Sequence, residues 1–500
     1  MIKERNTKMK YFSTRDSQKT SFDSAMVIKK GLAADGGLFV PEAIPTVSQK
    51  DIEKLCGMSY PERAATVLSM FLEDYTYEEL LDDCKKAYCE DSFPGGAAQL
   101  KKVNDTLYSL ELWHGPTAAF KDMALQIMPR LLSRALVKTG ENNTALILVA
   151  TSGDTGKAAL EGYKDIDGIK IMVFYPVDGV SNVQKLQMIT QTGNNVNVCS
   201  IKGNFDDAQS GVKKIFADDN AKAKLLENGY ILSSANSINW GRLAPQIVYY
   251  ISAYCDMINN GDIKYGDEVN VCVPTGNFGN IFAAYLAKLM GLPFSKFICA
   301  SNDNNVLTDF LATGTYDRNR KFHATISPSM DILISSNLER LLYFTAGSEN
   351  TASYMKQLNE NGVYTVSEDV KALISENFVG YFADENMTRE TIKHFYNDFD
   401  YLSDTHTAVA LNCAERYVSE TGDTKKMIVA STASPYKFAA DVYEALTDKK
   451  AAADTGALDD LSAYTNTEIS YPLRNLAERK INFNTTIESA DMLEAVYKFM

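Results

Sequence analysis

Residues 145–157 read ALILVATSGDTGK. The apolar run that opens this stretch has the length of a buried strand, and the small and polar residues after it are typical of a tight turn that begins a helix. Further short apolar runs, each followed by a polar turn and an amphipathic stretch, occur at residues 171–175, 230–232, 269–273 and 297–300. This alternation predicts an α/β fold, in which a mostly parallel sheet is covered by helices on both faces.

The loops after these strands are where functional residues are expected, because ligands of parallel sheets bind beyond the carboxyl ends of the strands. Such loops, rich in glycine, hydroxyl and amide residues, lie at 151–157 and 274–280. A third lies at 431–438, after a late apolar run at 427–430. The candidate residues below are therefore taken mainly from strand ends.

The chain divides into three predicted regions. Residues 1–95 form a helical region with a short strand at its front. Residues 96–445 hold the strand–helix alternation. Residues 446–500 form a C-terminal extension, predicted as a polar loop followed by a helix near residues 489–499.

Within the N-terminal region, helix starts are marked by capping boxes, in which a Ser or Thr precedes a Glu by three residues. One begins at Ser59 and predicts a helix through Leu72, and another begins at Thr76 and predicts the next helix. The sequence Phe-Pro-Gly-Gly at residues 93–96 then predicts a linker.

The composition is that of an ordinary globular protein, with 45% hydrophobic and 23% charged residues. The formal net charge of −14 disfavours nucleic acid and anionic membrane surfaces as partners. The apolar runs are much shorter than the roughly 20 residues of a membrane-spanning helix. Residues 1–10 have no signal-peptide pattern, and Met9 is an alternative start.

The eight cysteines are scattered along the chain. Neither a CxxC pair nor a Cys/His spacing typical of zinc occurs among them. We therefore predict buried, reduced thiols, no metal site and a cytoplasmic location. Because the net charge is negative, an anionic substrate needs a local positive pocket.

A candidate reactive lysine lies in residues 114–123, HGPTAAFKDM, where a turn leads into a helix. The apolar stripe of that helix places Lys121 in its first turn. The positive end of the helix dipole and partial burial against Phe120 both disfavour the lysine cation and lower its pKa. A neutral lysine amine is what imine formation with an aldehyde requires. The alternative is a solvated surface lysine.

The loop at 151–157 has the strand–turn–helix arrangement of an anion site, in which backbone N–H groups and the helix dipole point at the ligand. A nucleotide-binding P-loop is excluded, because Thr151 stands where its first glycine is required and Ala158 follows Lys157. The loop is therefore predicted to hold a small anion such as a carboxylate. The alternative is a tight turn with ordinary helix caps.

The loop at 274–280 reads PTGNFGN and precedes a predicted helix over residues 281–290. Its successive small residues can form a nest of backbone N–H groups for a phosphate. No GxGxxG occurs, so a nicotinamide or flavin site has little support. The loop at 431–438, STASPYKF, offers hydroxyls where a ring nitrogen can be met.

A candidate phosphate contact lies in residues 236–242, NSINWGR, which precede a long apolar helix. Arg242 falls in the first turn of that helix, where the dipole does not stabilise a cation, so an anionic partner is expected. The fork of a guanidinium group suits a phosphate dianion. The alternative is a solvated arginine.

Taken together, these segments resemble the threonine synthase family from residue 11 to residue 438. The most specific segments are 114–122, 152–156, 236–242 and 276–279, and further support comes from 327–333, 335–337 and 404–409. The family belongs to the fold-type II pyridoxal-phosphate (PLP) enzymes and is related to the tryptophan synthase β subunit. The resemblance implies two parallel-type αβα units, a helical N-terminal region and pyridoxal 5'-phosphate as cofactor of the catalytic region 96–445.

The resemblance also implies roles for individual residues. Lys121 is the catalytic residue and forms the covalent link to the cofactor. Thr432 meets the pyridine nitrogen. The residues that cradle the cofactor phosphate are Gly276, Asn277, Phe278, Gly279 and Asn280.

The substrate contacts are likewise implied by the resemblance. The residues beside the substrate's carboxylate are Ser152, Asp154 and Thr155. The residues that face the substrate's phosphate are Asn236, Ser237, Asn239, Arg242 and Lys437. The sequence departs from the family pattern at Ser434, where histidine is common, and at Asn280, where an acidic residue is common. These departures bear on substrate binding and leave the cofactor assignment as it is.

The implied activity is the conversion of O-phospho-L-homoserine and water to L-threonine and phosphate, by β,γ-elimination and β-addition of water. One alternative is another PLP-dependent lyase or phospholyase that acts on a related hydroxy or phosphorylated amino acid. A second is a catalytically silent protein that binds a phosphorylated metabolite. We expect a monomer or a homodimer.

Overall fold

Two parallel β-sheets with helices packed on them form the body of the protein. The computed structural model describes residues 8–151, 153–177 and 179–500. One sheet has six strands and the other has five. The predicted α/β architecture, with two sheet-based units after a helical N-terminal region, is confirmed.

The N-terminal region is mainly helical and begins with a short antiparallel ribbon. Its elements are β1 (Tyr11–Ser13), α1 (Ser24–Lys30), β2 (Phe39–Pro41), α2 (Gln49–Cys56), α3 (Tyr60–Ser69) and α4 (Tyr77–Ala87). In the predicted capping box of α3, the Ser59 N–H donates to the Glu62 carboxylate at 2.9 Å. α3 ends before the predicted Leu72, because bonds from Met70 and Phe71 to carbonyls three residues back tighten its last turn.

The next part of the chain starts the six-stranded sheet and then builds the five-stranded one. Its elements are β3 (Gln99–Lys102), β4 (Leu107–Glu111), α5 (Asp122–Leu125), α6 (Met128–Lys138), β5 (Thr144–Ala150), α7 (Asp154–Tyr163), β6 (Ile169–Pro176), α8 (Asn182–Ile189), β7 (Val196–Lys202), α9 (Phe205–Ala217), α10 (Asp219–Glu227), β8 (Tyr230–Ser233) and α11 (Trp240–Asn259). The strands β7-β6-β5-β8 are neighbours in this order and are parallel. The apolar run at 145–150 is thus a strand in the interior of a parallel sheet, as predicted.

The third part of the chain completes the six-stranded sheet. Its elements are β9 (Val269–Pro274), α12 (Gly279–Leu289), β10 (Phe294–Ser301), α13 (Val306–Thr313), β11 (Thr315–Asp317), α14 (Leu338–Asn361), β12 (Val363–Thr365), α15 (Glu368–Ser375), β13 (Phe378–Phe382), α16 (Glu385–Phe399), α17 (Thr405–Thr421), β14 (Met427–Ser431) and α18 (Ala439–Thr447). The strand order is β13-β10-β9-β14-β4-β3, parallel except for β3, which is antiparallel to β4.

This strand order decides where the candidate site lies. β9, β14 and β4 are adjacent, so the loops that leave their carboxyl ends meet at one edge of the sheet. These are the loop before α12, the loop after Ser431 and the turn that carries Lys121. The loop after β5 faces them from the five-stranded sheet, since Asp154 at its end contacts Lys121.

The C-terminal extension connects the two units. It contains α19 (Gly456–Thr465), β15 (Thr485–Glu488) and α20 (Met492–Phe499). α19 packs on α18 beside the six-stranded sheet, whereas β15 adds a parallel edge strand to β7 of the five-stranded sheet. The predicted final helix is confirmed as α20. The expected polar loop is found only at residues 448–455, because α19 follows it and buries Leu458 and Leu461.

All eight cysteines are free thiols, and six of them are buried, as predicted. Among the described residues, no helix has both the length and the apolar surface needed to cross a membrane. In the same part of the chain, no group of three or more His, Cys, Asp or Glu side chains is arranged to hold a metal ion.

Candidate active site

Lys121 lies where the chain leaves β4 and enters α5, at the N-terminal end of this short helix. The prediction of one continuous helix after Lys121 is wrong, because α5 ends at Leu125 and α6 begins at Met128. Pro129 accounts for the break, since it has no N–H and its ring excludes the carbonyl four residues earlier. The break keeps the lysine-bearing turn separate from the long helix behind it.

The Lys121 side chain points into the protein rather than into solvent. Only 11% of it is exposed. Its Nζ lies 5.1 Å from the centroid of the Phe120 ring. It also lies 3.3 Å from both Asp154 Oδ2 and Ser329 Oγ. The solvated-lysine alternative is therefore wrong, and the amine faces a polar group on each side.

Burial lowers the pKa of the Lys121 ammonium below its ordinary value. The Asp154 carboxylate opposes this shift, whereas the nearby cations of Lys437 and Arg242 add to it. The net direction is down, so more of the amine is neutral near neutral pH than for an exposed lysine. A neutral amine is the form that attacks an aldehyde.

Asp154 is the charged centre of this site. It begins α7 and is buried, and its Oδ1 accepts from Lys437 Nζ at 2.9 Å and from Gln184 Nε2 at 2.8 Å. Burial raises the pKa of the Asp154 carboxyl, but Lys437 and Lys121 together bring it well below its usual range. Asp154 is therefore ionised and holds both lysines.

Lys437 enters the site from the loop after β14. Its side chain is fully buried, and its Nζ donates to Thr117 O at 2.8 Å as well as to Asp154. The ammonium group is thus already paired with an anion from the opposite unit. The predicted contact of Lys437 with a substrate phosphate would require it to share or leave this pair.

The candidate phosphate cradle is the turn between β9 and α12. Phe278 stands there with a φ of 61°, in the left-handed region that a non-glycine residue seldom adopts. This conformation directs successive backbone N–H groups into one concavity. Among the described residues, none accepts a hydrogen bond from the N–H groups of residues 276–280.

The carbonyl groups of the same turn are, by contrast, occupied. Ser335 Oγ donates to Gly276 O at 2.7 Å, and the Asn337 N–H donates to Asn277 O at 3.0 Å. The turn is therefore held from its carbonyl side by residues 335–337, and its N–H side is open. This is the polarity that a phosphate dianion needs.

Gly276→Ala is expected to weaken cofactor binding by at least about tenfold. A Cβ at this position would lie 2.8 Å from Ser329 O, which is backbone and cannot rotate away, so the cradle or the 329 segment must shift. Titration of the apo-protein with pyridoxal phosphate, followed by visible absorbance, measures the effect. Gly57→Ala is the matched control, because its Cβ meets an ordinary contact of 3.6 Å. Equal affinities for the two variants would contradict the cradle assignment.

Thr432 is fixed beside the Lys121 turn by an isolated antiparallel bridge between Ala119 and Ala433. In the same crossing, the Phe120 N–H donates to Thr432 O at 2.8 Å. Thr432 is buried, and its hydroxyl has no partner among the described residues. The hydroxyl is thus available to a ring nitrogen close to Lys121, and that role of Thr432 stays a prediction.

Arg242 is a buried arginine with unused hydrogen-bonding capacity. Its Nη1 donates to Ala235 O at 2.6 Å, whereas its Nε has no partner among the described residues. It forms no ion pair with any carboxylate of the described residues. Burial lowers the pKa of the guanidinium to about 10, partly offset by Tyr163 and Tyr249. A desolvated cation without a counter-ion is costly unless an anion binds to it.

The other predicted contacts with the substrate phosphate differ in whether their side chains are accessible. Asn236 is exposed and Ser237 half-buried, so both are accessible. Asn239 caps α11: its Oδ1 accepts from the Gly241 N–H and its Nδ2 donates to Ile28 O, both at 2.9 Å. The Asn239 amide is therefore engaged at both ends within the fold.

The remaining predicted contacts belong to the loop after β5. Thr155 is half-buried in the first turn of α7, next to Asp154. Ser152 lies outside the described residues. Of the predicted set, the structure brings together the Lys121, Asp154 and Lys437 side chains, and it places the Thr432 hydroxyl on the adjoining segment.

Several contacts of the site were assigned no role from the sequence. Gln184 reaches Asp154 from α8, and its surroundings carry no motif. Ser329 and His406 lie in segments that the family resemblance singles out, and Ser329 contacts Lys121. Arg340 is fully buried and donates to Asn337 Oδ1, so it supports the carbonyl side of the phosphate cradle.

The comparisons with known proteins cover almost the whole chain. The family model "Threonine synthase N terminus" matches residues 10–88. The model "Pyridoxal-phosphate dependent enzyme" matches residues 96–432, and "Threonine synthase, C-terminal" matches residues 407–495. The chain belongs to the threonine synthase family.

Relatives with two different names share this family. The chain is 42% identical to "Threonine synthase-like 1" of Macaca fascicularis over 441 residues, which is 86% of this chain and 58% of that protein. It thus spans 58% of the length of that longer relative. It is 36% identical to "Threonine synthase" of Saccharomyces cerevisiae over 469 residues, covering 88% of this chain and 90% of that protein.

A solved structure of a family member agrees with the fold. The crystal structure of PLP-bound threonine synthase from Brucella melitensis superimposes with a TM-score of 0.87 at 36% identity, covering 98% of this chain and 99% of that chain. Fold type II and the PLP-dependent class are thereby confirmed, and the cofactor is pyridoxal phosphate.

The residues of this chain fit that cofactor. A partly buried amine of lowered pKa, a turn with open N–H groups and an unpartnered threonine hydroxyl correspond to its aldehyde, phosphate and ring nitrogen. Gly276 leaves no room for a side chain between the turn and Ser329. Lys121, residues 276–280 and Thr432 would therefore hold it.

The two departures from the family pattern have local explanations. Ser434 is buried, and its hydroxyl lies 2.5 Å from that of Ser470, so it contacts the C-terminal extension. Asn280 accepts from the Tyr249 hydroxyl at 2.8 Å, and no partner of its Nδ2 is found in the part of the chain that the structure describes. At position 280, a neutral amide thus stands beside the cradle where family members commonly have an acidic side chain.

Proposed function

We propose that this chain is a threonine synthase, which converts O-phospho-L-homoserine and water to L-threonine and phosphate. The observation that carries the proposal is Arg242, a buried guanidinium with an unpartnered Nε and no carboxylate partner among the described residues. Because Arg242 lies close enough to lower the pKa of Lys121, an anion bound to it is held near the reactive amine. A substrate with its own phosphate supplies that anion.

In this proposal Lys121 has two tasks. It holds the cofactor through its amine. After the substrate's amine replaces it, the neutral Nζ removes the α proton, passes that proton on, and in its neutral form again removes a β proton. Asp154 stabilises the ammonium that results, since its Oδ2 lies 3.3 Å from Nζ. The cofactor, when bound, delocalises the carbanion, which is chemistry that the protein side chains cannot supply.

Arg242 stabilises the phosphate that leaves the substrate. Phosphate leaves from Cγ, Cγ is reprotonated, and water adds at Cβ. A preorganised cation at the leaving oxygens stabilises the negative charge that develops there. Thr155 and Ser152 remain proposed neighbours of the substrate's carboxylate, and Asn236 and Ser237 remain proposed neighbours of its phosphate.

Arg242→Gln is expected to raise KM for O-phospho-L-homoserine by about 10–100-fold, because a hydrogen bond to a charged group contributes about 1.5–3 kcal/mol. Glutamine keeps a donor for Ala235 O, so the fold is retained. Removing a buried cation without a counter-ion should leave the melting temperature unchanged or higher. Arg242→Lys is the matched variant that keeps the charge and loses the fork.

The assay that tests the proposed function measures phosphate and threonine release from O-phospho-L-homoserine, with and without added pyridoxal phosphate. Stoichiometric release of both products supports threonine synthase. O-phosphothreonine and serine are the comparison substrates. Turnover of either of these, without threonine from phosphohomoserine, would overturn the proposal.

The second candidate is another PLP-dependent lyase that acts on a related hydroxy or phosphorylated amino acid. The identity to threonine synthase-like 1 of Macaca fascicularis, 42%, exceeds the 36% identity to the yeast threonine synthase. Release of phosphate with a keto acid in place of threonine would favour this candidate.

A further inference from the structure

A hydroxyl group outside the predicted site residues touches the reactive amine. Ser329 stands in the 3₁₀ turn Pro328–Met330, and its Oγ lies 3.3 Å from Lys121 Nζ and 3.2 Å from Asp154 Oδ2. An ammonium can only donate and a carboxylate can only accept. The Ser329 hydroxyl must therefore accept from Lys121 and donate to Asp154, which closes a three-membered hydrogen-bonded ring.

The backbone of Ser329 is fixed by a buried histidine. The Ser329 N–H donates to His406 Nε2 at 3.1 Å. A backbone N–H cannot accept, so Nε2 carries no proton and the histidine proton resides on Nδ1. Nδ1 lies 3.0 Å from Asp404 Oδ1, which accepts it. The hydrogen-bond pattern thus assigns one tautomer to His406.

Asp404 is in turn held by the helix that it caps. It is fully buried, and its Oδ1 accepts from the His406 N–H at 2.8 Å at the start of α17. The contacts therefore run from the buried helix cap Asp404, through the imidazole of His406, to the backbone of Ser329, a residue that is otherwise exposed. Such an arrangement fixes the backbone that carries the hydroxyl, and the contacts with Lys121 and Asp154 then orient the hydroxyl itself.

We infer that Ser329 is a further catalytic residue, whose hydroxyl holds the Lys121 ammonium against Asp154, and that His406 and Asp404 are positioning residues acting through it. The inference rests on the proposed role of Lys121 as the cofactor-bearing base. The proton taken from substrate carbon forms the new N–H bond on Lys121 Nζ and is held there until it is passed on, so that Nζ is neutral again before it takes the next proton. Ser329 accepts a hydrogen bond from that ammonium and gives none of its own protons up.

Loss of the Ser329 hydroxyl should lower the pKa of the Lys121 nitrogen. The charged groups that face Lys121 are Asp154 of α7, Lys437 of the loop after β14 and Arg242 of α11. All of them remain in Ser329→Ala, so one of the two acceptors of the Lys121 nitrogen is lost and Asp154 is kept. A protonated nitrogen that loses an acceptor gives up its proton more easily, so its pKa falls.

The test uses the holoenzyme and the visible absorbance of the cofactor–lysine linkage as a function of pH. Ser329→Ala should lower the midpoint of this titration by about one pH unit, the size expected from the loss of a hydrogen bond to a charged group. It should also lower kcat by at least about tenfold with little change in KM. Ser329→Thr keeps the hydroxyl and should keep the wild-type midpoint.

His406 provides the second arm. His406→Leu removes the acceptor of the Ser329 N–H and should shift the midpoint in the same direction as Ser329→Ala, whereas His406→Gln retains an acceptor and should behave as the wild type. An unchanged midpoint in Ser329→Ala would overturn the inference about the hydroxyl. A wrong assignment of Lys121 would give a different result. The Lys121→Ala variant would then show the same cofactor–lysine absorbance as the wild type.

Discussion

Lys121→Ala should remove both the visible absorbance of the cofactor linkage and turnover. Without the amine no covalent link can form, and the base that moves the α and β protons is missing. A positioned general base contributes about 10²–10⁴-fold, so the rate should fall at least that far. Absorbance spectra of the purified variant with added pyridoxal phosphate and a product-release assay measure the two losses.

Lys288→Ala is the matched control for that variant. Lys288 is also a half-buried lysine whose pKa is lowered mainly by burial, but it stands at the far end of α12 and donates to Ser295 O at 2.9 Å. Its replacement should leave the absorbance and kcat unchanged. A normal spectrum in Lys121→Ala would show that another group carries the cofactor.

Asp154→Asn should destabilise the protein by about 3–5 kcal/mol, the usual cost of leaving one partner of a buried ion pair unpaired. Lys437 is fully buried against this carboxylate, and asparagine leaves its cation uncompensated. The same change removes the counter-ion of Lys121, so the pKa of Lys121 falls further. Urea denaturation of the two proteins at pH 7 measures the loss of stability.

The stability that the Asp154 carboxylate contributes depends on pH. The pKa of Asp154 is lower in the folded protein than in the unfolded chain, so its contribution is present in full above the unfolded value of about 3.9. It is lost as the pH falls toward the folded value. The stability gap between wild type and Asp154→Asn should therefore narrow from pH 7 to pH 3. Asp206→Asn, an exposed control, should show no gap at either pH, and an equal gap for both variants would contradict the charge argument.

Most of the strands that could be read from the sequence are buried on both faces, and the half-buried edge strand β8 is an exception. Residues 145–150 are uniformly apolar because β5 lies inside a parallel sheet, and the observed strand differs from the prediction only by Thr144. β4 was missed because it buries Ser109, which is satisfied by the Tyr401 hydroxyl at 2.6 Å. β15 is polar and mostly exposed, and only pairing with β7 makes it a strand. The Tyr401 hydroxyl and the strand β7 are brought to these positions by the tertiary fold, so the local sequence does not indicate them.

The candidate site divides in the same way. Lys121 and the turn before α12 can be predicted from neighbouring residues alone. A glycine-rich turn at a helix start indicates an anion site, and a lysine beside apolar residues indicates a lowered pKa. Asn239 shows the limit, since an amide next to a predicted anion site proved to be a helix cap bound to Ile28. Gln184 reaches Asp154 from another helix, which no spacing along the chain could indicate.

The most direct measurement is mass spectrometry of peptides from the holoenzyme after borohydride reduction, which makes the cofactor attachment permanent. Attachment at Lys121 predicts the added pyridoxyl-phosphate mass on the peptide that contains Lys121 and on no other. The label on Lys437 or any other lysine, or no label at all, would contradict it.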